Sequence, residues 1–307
     1  MHKVKSSINC SRSQRIPGLA AALLCLVLIT SCSSPEKESP PVETISSAAG
    51  DGPASRESFS GFQPDFGMSY TVVGIASDQT LPLYLEPSTD SQTLSSLPPA
   101  ARSIHPLMMD QDQGGDNWVA VDYQGQRGWT QKSYLAVQQG NLPGILAALG
   151  QTVTAALKER DYQSLKDLID PQLCLRFSPY QYLRETDQVI CPTELVSAGE
   201  FDAIKIWGNY DGSGEPIQLT FLEYHERFVY DADFFQPQVV GFNQEVSQGN
   251  SINNVAEFYP DGIMVEYYFP GFDPQYGGMD WRSLRLVFVN LDGQYYLAAL
   301  VHGEWTI

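Results

Sequence analysis

Hydrophobic positions change their rhythm four times along the chain, and each rhythm predicts a different element. Residues 19–29, "LAAALLCLVLI", are an unbroken apolar run of 11. A membrane-spanning helix needs about 20 such residues, so this run suits the core of a leader peptide instead. From residue 32 to 67 the large apolar residues thin out and Ser, Pro, Glu and Gly take over. Such a stretch buries too little surface to offset its ordering entropy and is expected to be a disordered tether. About 35 residues of flexible coil would reach roughly 30–35 Å.

Between residues 68 and 137 the period is two. "YTVVGIA", "LPLYLEP" and "NWVAVDY" alternate, and "GQ" turns the last of them into "RGWTQ". Short alternating runs separated by turn residues predict an all-β small barrel. From residue 141 the period becomes helical: Ile145, Leu146, Leu149, Val153, Ala156 and Leu157 fall at helical spacing, with Pro143 near the start. "RDY" interrupts it, and Leu165, Leu168 and Ile169 continue in a second short helix that stops at Pro171. The remainder, "QLTFLEYHERFVY", "GIMVEYYFPGF", "SLRLVFV" and "YYLAALVHGEWTI", reads as strands, with hairpin signals at Asp261-Gly262 and Asp292-Gly293. The expected architecture is therefore two domains, a small barrel at 68–137 followed by an α+β domain at 141–307 with helices leading an antiparallel sheet.

Charge sharpens the reading of the N-terminus. Lys3, Lys5, Arg12 and Arg15 precede the apolar run, and residues 1–31 contain no Asp or Glu. The full chain carries 18 basic and 36 acidic residues; without residues 1–31 it keeps 14 against 36, a formal charge of −22. So acidic a surface repels nucleic acid and anionic head groups, and no nucleic-acid partner is expected. Immediately after the apolar run stands "ITSC", which resembles the bacterial lipobox. The resemblance implies removal of residues 1–31 as a signal peptide and lipidation of Cys32. The protein would then be exported and membrane-anchored on the extracytoplasmic side.

Cys10 and Cys25 leave with such a leader and Cys32 is modified, so Cys174 and Cys191 remain. Two thiols in an exported protein most often form a disulfide. The rival is a catalytic or metal-binding pair, for which their 17-residue separation is no recognised ligand spacing.

The order "LPLYLEPSTDSQTLSSLP", then "NWVAVDYQGQRGWTQKSYL", resembles the bacterial SH3 (SH3b) domain. Trp118, Val121, Gly125, Gly128, Trp129, Tyr134 and Leu135 fall on its pattern. Pro82, Tyr84, Glu86 and Ala100–Ala101 depart from it, so the fold is implied without the family's ligand preferences. In such a barrel Trp118, Tyr123 and Trp129 could line a groove for an extended peptide or glycan, or the two Trp could fill the core. Tyr84 and Tyr134 are groove residues of the same kind, since a phenol favours one wet end. "ALKERDYQSLKDLIDP" resembles the leading helices of cystatin-like or NTF2-like folds. "RFSPY", "WGNYDGSGEPIQLTF", "MDWRSLRLVF" and "VHGEWTI" resemble uncharacterised bacterial exported proteins, a likeness that adds no mechanism.

Motifs of known chemistry fail on inspection. "YHERF" at 224–228 begins like a zinc-protease helix, but Val229 stands where the second His is required. "DGSGE" at 211–215 lacks the distal Glu of a calcium loop and reads as a hairpin connection. One constellation remains. His302 and Glu304 share a strand face, and Arg285 and Glu266 lie on polar faces of neighbouring runs; with Tyr268 or Arg176 they could converge into an acid/base site. A solvated sheet face with cross-strand ion pairs accounts for the same residues. The expectation is a non-catalytic binding module for peptidoglycan or an envelope protein, without cofactor or metal. The alternative is an envelope hydrolase with its site in the C-terminal domain and the barrel as targeting module.

Overall fold

The computed structural model describes residues 58–306 apart from residues 110–113, 142, 248 and 250. The leader, Cys32 and the tether as far as residue 57 lie outside the described residues. Sheets dominate and helices are few. No helix among the described residues is long and apolar enough to cross a membrane.

The first eight strands are β1 (Gln63–Pro64), β2 (Tyr70–Val72), β3 (Leu81–Tyr84), β4 (Thr93–Leu97), β5 (His105–Met108), β6 (Trp118–Tyr123), β7 (Gln126–Gln131) and β8 (Leu135–Gly140). Six of them form an antiparallel sheet in the order β1-β5-β6-β7-β3-β4. The turn from β6 to β7 uses Gln124 and Gly125, both with positive φ (55° and 84°), the backbone that matches strand twist in a two-residue hairpin. Alternation gives this sheet two faces, and both are covered. Leu81, Leu83, Leu97, Ile104 and Val121 pack with Val72 and Ile75. Trp129, Ala120 and Leu107 pack with Phe59.

That second layer corrects the expected end of the tether. The Ser- and Pro-rich composition carries the disordered reading to residue 67, yet Phe59 is buried and β1 pairs with β5. The Arg127 guanidinium donates from Nη1 to the carbonyls of Phe59 (3.2 Å) and Phe62 (3.1 Å), and from Nε to Asp122 (2.7 Å). Two Phe side chains and one arginine clamp order a segment whose average composition is polar.

Strands β2 and β8 do not join the six-stranded sheet. They pair with each other and extend a second sheet contributed mainly by the C-terminal half. Its other strands are β9 (Leu175–Ser178), β10 (Gln188–Ile190), β13 (Val239–Phe242), β14 (Ile263–Phe269), β15 (Arg282–Leu291) and β16 (Gln294–Glu304), with β11 (Lys205–Asn209) and β12 (Pro216–Leu219) forming a separate ribbon. The order is β10-β9-β16-β15-β14-β13-β8-β2. The expected sheet is antiparallel; the observed one has two parallel junctions, β8 with β13 and β9 with β16. Gly140 takes φ +71° beside β13, where a Cβ would collide with the Phe242 carbonyl.

Helix α1 (Gly144–Glu159) buries Leu146, Val153 and Leu157 against this sheet and ends at Arg160 in the left-handed conformation. Gly150 lets the two approach, since a Cβ there would meet the Tyr267 hydroxyl. Helix α2 (Tyr162–Lys166) starts at Asp161, whose carboxylate accepts from the Ser164 N–H. "QLTFLEYHERFVY" proves to be strand β12 followed by helix α3 (Phe221–Phe228). Thr220 and Glu223 cap each other's backbone N–H, and Phe221, Tyr224, His225 and Phe228 fall at helical spacing toward the core. Trp207 stacks on Tyr224 with ring centroids 3.9 Å apart. Asp292-Gly293 is the hairpin between β15 and β16, whereas Asp261-Gly262 only ends the long connection from β13 to its antiparallel partner β14 and forms no tight hairpin.

Cys174 and Cys191 form a disulfide that joins the start of β9 to the residue after β10. Closing a loop of this length contributes roughly 3 kcal/mol in the chain-entropy description.

Candidate functional site

Register decides the fate of the four residues singled out in the C-terminal half. Residues directly paired across strands project to the same face, and successive residues alternate. Arg282 pairs with Glu304 and Leu284 with His302, while Arg285 pairs with Val301 on one side and Glu266 on the other. His302 and Glu304 therefore face the helices, and Arg285 and Glu266 face the opposite way. The four residues do not converge. Tyr268, paired with Ser283, and Arg176, paired with Ala299, lie on the Arg285 face.

On that face Arg285 and Glu266 are both fully buried and bonded, Arg285 Nε to Glu266 Oε1 at 3.1 Å. Glu266 also accepts from the backbone N–H of Val246 (2.7 Å) and the hydroxyl of Ser247 (2.5 Å). Arg285 Nη2 donates to Glu245 Oε1 (2.6 Å) and Ser247 Oγ (3.0 Å). Residues 245–247 are thus pinned across the sheet by one buried ion pair. Arg176 donates to the Arg184 carbonyl (2.8 Å) and lies over the Phe258 ring, outside this cluster.

On the helix face the sequence shows His302 and Glu304 but hides their partners. Asp231, in the turn after α3, places Oδ2 3.2 Å from His302 Nε2 and accepts from Arg282 Nε at 2.7 Å. Glu304 accepts from Arg227 Nη2 at 2.7 Å, with Arg282 Nη2 3.5 Å from its other oxygen. His302 is completely enclosed, and its Nδ1 lies 3.1 Å from the Pro179 carbonyl. Burial alone would push the Asp231 carboxyl up, but His302 and Arg282 beside it outweigh burial and hold it below the usual range. Among the described residues, Asp231, His302 and Glu304 are the group whose donor atoms fall within one another's reach for a metal, all within 4.8 Å. Nothing in local sequence marks Asp231 or Arg282 as a partner of His302; they meet through the turn after α3 and the register of β15.

The five aromatic residues of the first half also separate. Tyr84 and Trp118 pack edge to face with centroids 5.6 Å apart, both half-buried, against the layer that contains Trp129 and Phe59. Trp129 is core. Tyr123 and Tyr134 pack against the other apolar layer, with Leu81 and Val121. A cavity of about 320 Å³ lies between Ile75–Ser77 and helix α1, walled by Gln151, Ala155 and Phe235; none of these five aromatic residues lines it. Tyr123 borders a second space of about 380 Å³ beside Pro98–Ser103.

No protein-family model matches this chain, and no curated protein matches it. Among solved structures, a chain whose title begins Rd1NTF2_05 is similar at 9% identity over 52% of this chain and 96% of its own length. The TM-score is 0.22, so the likeness carries no argument about fold or function.

Proposed function

We propose that the protein is an exported, membrane-tethered lipoprotein, anchored at Cys32, whose SH3b-like barrel is a non-catalytic binding module for peptidoglycan or an envelope protein. The observation that carries the reading is the Tyr84–Trp118 pair, two large rings left half-buried at the surface while Trp129 beneath them is enclosed. Aromatic rings in that state offer apolar faces to an extended peptide or glycan. The acidic surface agrees with neutral or zwitterionic partners more than with polyanions. A hydrolase built on His302, Glu304, Arg285 and Glu266 draws no support from a register that sends them to opposite faces, each charge already paired.

The test is co-sedimentation with purified peptidoglycan, using the chain without residues 1–31, because isolated halves would cut the sheet between β8 and β13. The wild type should pellet, and Tyr84→Ala and Trp118→Ala should each weaken pelleting about tenfold while circular dichroism stays unchanged. Equal pelleting by the Trp118 variant would move the site elsewhere on the molecule. No pelleting at all would remove peptidoglycan and leave an envelope protein as the partner.

A further inference from the structure

We propose that Asp231, His302 and Glu304 form a binding site for a divalent transition-metal ion of the Zn2+ type. This inference goes beyond the binding function proposed above and does not depend on it.

His302 supplies the nitrogen. Its Nδ1 lies 3.1 Å from the Pro179 carbonyl, and a carbonyl oxygen only accepts, so Nδ1 carries a hydrogen. Nε2 is the nitrogen turned toward Asp231, 3.2 Å from Oδ2, inside a fully enclosed site. One ring nitrogen on the ion and the other donating to a backbone carbonyl is how ligating histidines are held.

Asp231 supplies an oxygen. Its Oδ1 is buried and has no hydrogen-bond partner among the described residues, whereas Oδ2 already accepts from Arg282. Oδ1 is therefore the oxygen open to an ion. Glu304 Oε2 is similarly underused: Arg282 Nη2 stands 3.5 Å from it, against the 2.7 Å bond that Arg227 makes to Oε1.

Ligand chemistry chooses the class. One imidazole with two carboxylates suits Zn2+ or Mn2+, while calcium and magnesium sites are built from oxygen alone. Three protein ligands leave one tetrahedral position for water. The donor atoms lie within 4.8 Å of one another, so small side-chain adjustments bring them to a common ion. The guanidinium groups of Arg227 and Arg282, bonded to the same two carboxylates, oppose a further cation. They make the expected affinity weaker than that of a closed structural zinc site.

The experiment uses the chain without residues 1–31, stripped with a chelator and titrated with Zn2+ by calorimetry, with thermal unfolding followed in parallel. The expected result is one Zn2+ per chain and a rise in the unfolding midpoint on saturation. His302→Gln and Asp231→Asn should each weaken binding at least about tenfold. Glu304→Gln keeps the shape of the side chain and serves as a third variant if either of those fails to fold. Co2+ bound in the same place should give visible ligand-field absorption, lost in His302→Gln. His105→Gln is the control for a site elsewhere. Three results would overturn the proposal: no heat and no shift at millimolar Zn2+, binding unchanged in the folded variants, or loss on changing His105 alone. In the first case the bridge between His302 and Asp231 is a second ring proton, and the cluster is an ion-pair clasp.

Discussion

The six-stranded and eight-stranded sheets both have two covered faces, and they cover them with different chemistry. In the six-stranded sheet the layers are apolar and aromatic, closed by Phe59 and Trp129 on one side and by Leu81, Leu83 and Val121 on the other. In the eight-stranded sheet the helix face is a large apolar core, but the opposite face adds to a small apolar cluster around Val287, Ala299 and Val301 the buried pair of Arg285 and Glu266, both without solvent contact. Apolar layers tolerate the loss of one contact in proportion to the area lost. A buried ion pair does not, because removing one partner strands a charge. The aromatic side of the molecule can therefore leave Tyr84 and Trp118 half-buried, while the charged side is committed to holding residues 245–247.

The largest effect should come from breaking that charged side. Glu266→Ala leaves Arg285 enclosed with only Glu245 in partial compensation, and the Val246 and Ser247 donors without their acceptor. Unfolding in urea should show a loss of about 3–5 kcal/mol, and the double change of Glu266 and Arg285 to Leu should recover much of it. A loss under about 1 kcal/mol would show that the pair is not what pins residues 245–247.

A smaller effect sits in the helix-facing core, where His225 packs between Tyr162 and Tyr230. Burial, with Arg160 nearby, pushes this imidazole down to about 4 from its ordinary 6.5. Its folded value is depressed, so the unfolded chain takes up the proton first. The contribution to stability is whole above about pH 6.5 and is lost as pH falls toward 4, by up to about 3 kcal/mol. Stability measured against pH should decline over that window, and His225→Phe should flatten the decline. An unchanged slope in the variant would assign the acid sensitivity to carboxylates instead.

The smallest effect marks the contrast with the buried pair. Arg160 and Glu226 meet at 2.6 Å with both side chains largely in solvent. Glu226→Gln should cost less than about 1 kcal/mol, and added salt should narrow the difference further. A larger, salt-insensitive loss would mean that the exposed pair behaves like the buried one.

Legibility in the sequence followed the range of each interaction. Helices α1 and α2, the β6–β7 and β15–β16 hairpins and the Cys174–Cys191 disulfide could all be read, because each rests on local spacing or on the arithmetic of two remaining thiols. Helix α3 reads as strand in the sequence because "TFLEYHERF" offers apolar residues at both periods; the Thr220 and Glu223 capping box is the signal that separates them. The folded segment from residue 58 was hidden by averaging two Phe into a polar composition. The partners of His302 were not legible at all. Asp231 reaches it from 71 residues away and Arg282 from the neighbouring strand, through a turn and a register that no local pattern states.

The junction of β8 with β13 bears on how this chain can vary. A barrel joined by a linker can be duplicated in tandem, deleted or traded between proteins without disturbing its neighbour. Here β7 leads through a single turn at Lys132–Tyr134 into a strand flanked by β2 and β13, so excising residues 68–137 would remove β2 and half of β8 from one edge of the other sheet and leave β13 without its partner. The two halves are joined through one sheet, and a second copy of the first half in series would need a second β13 to receive its β8.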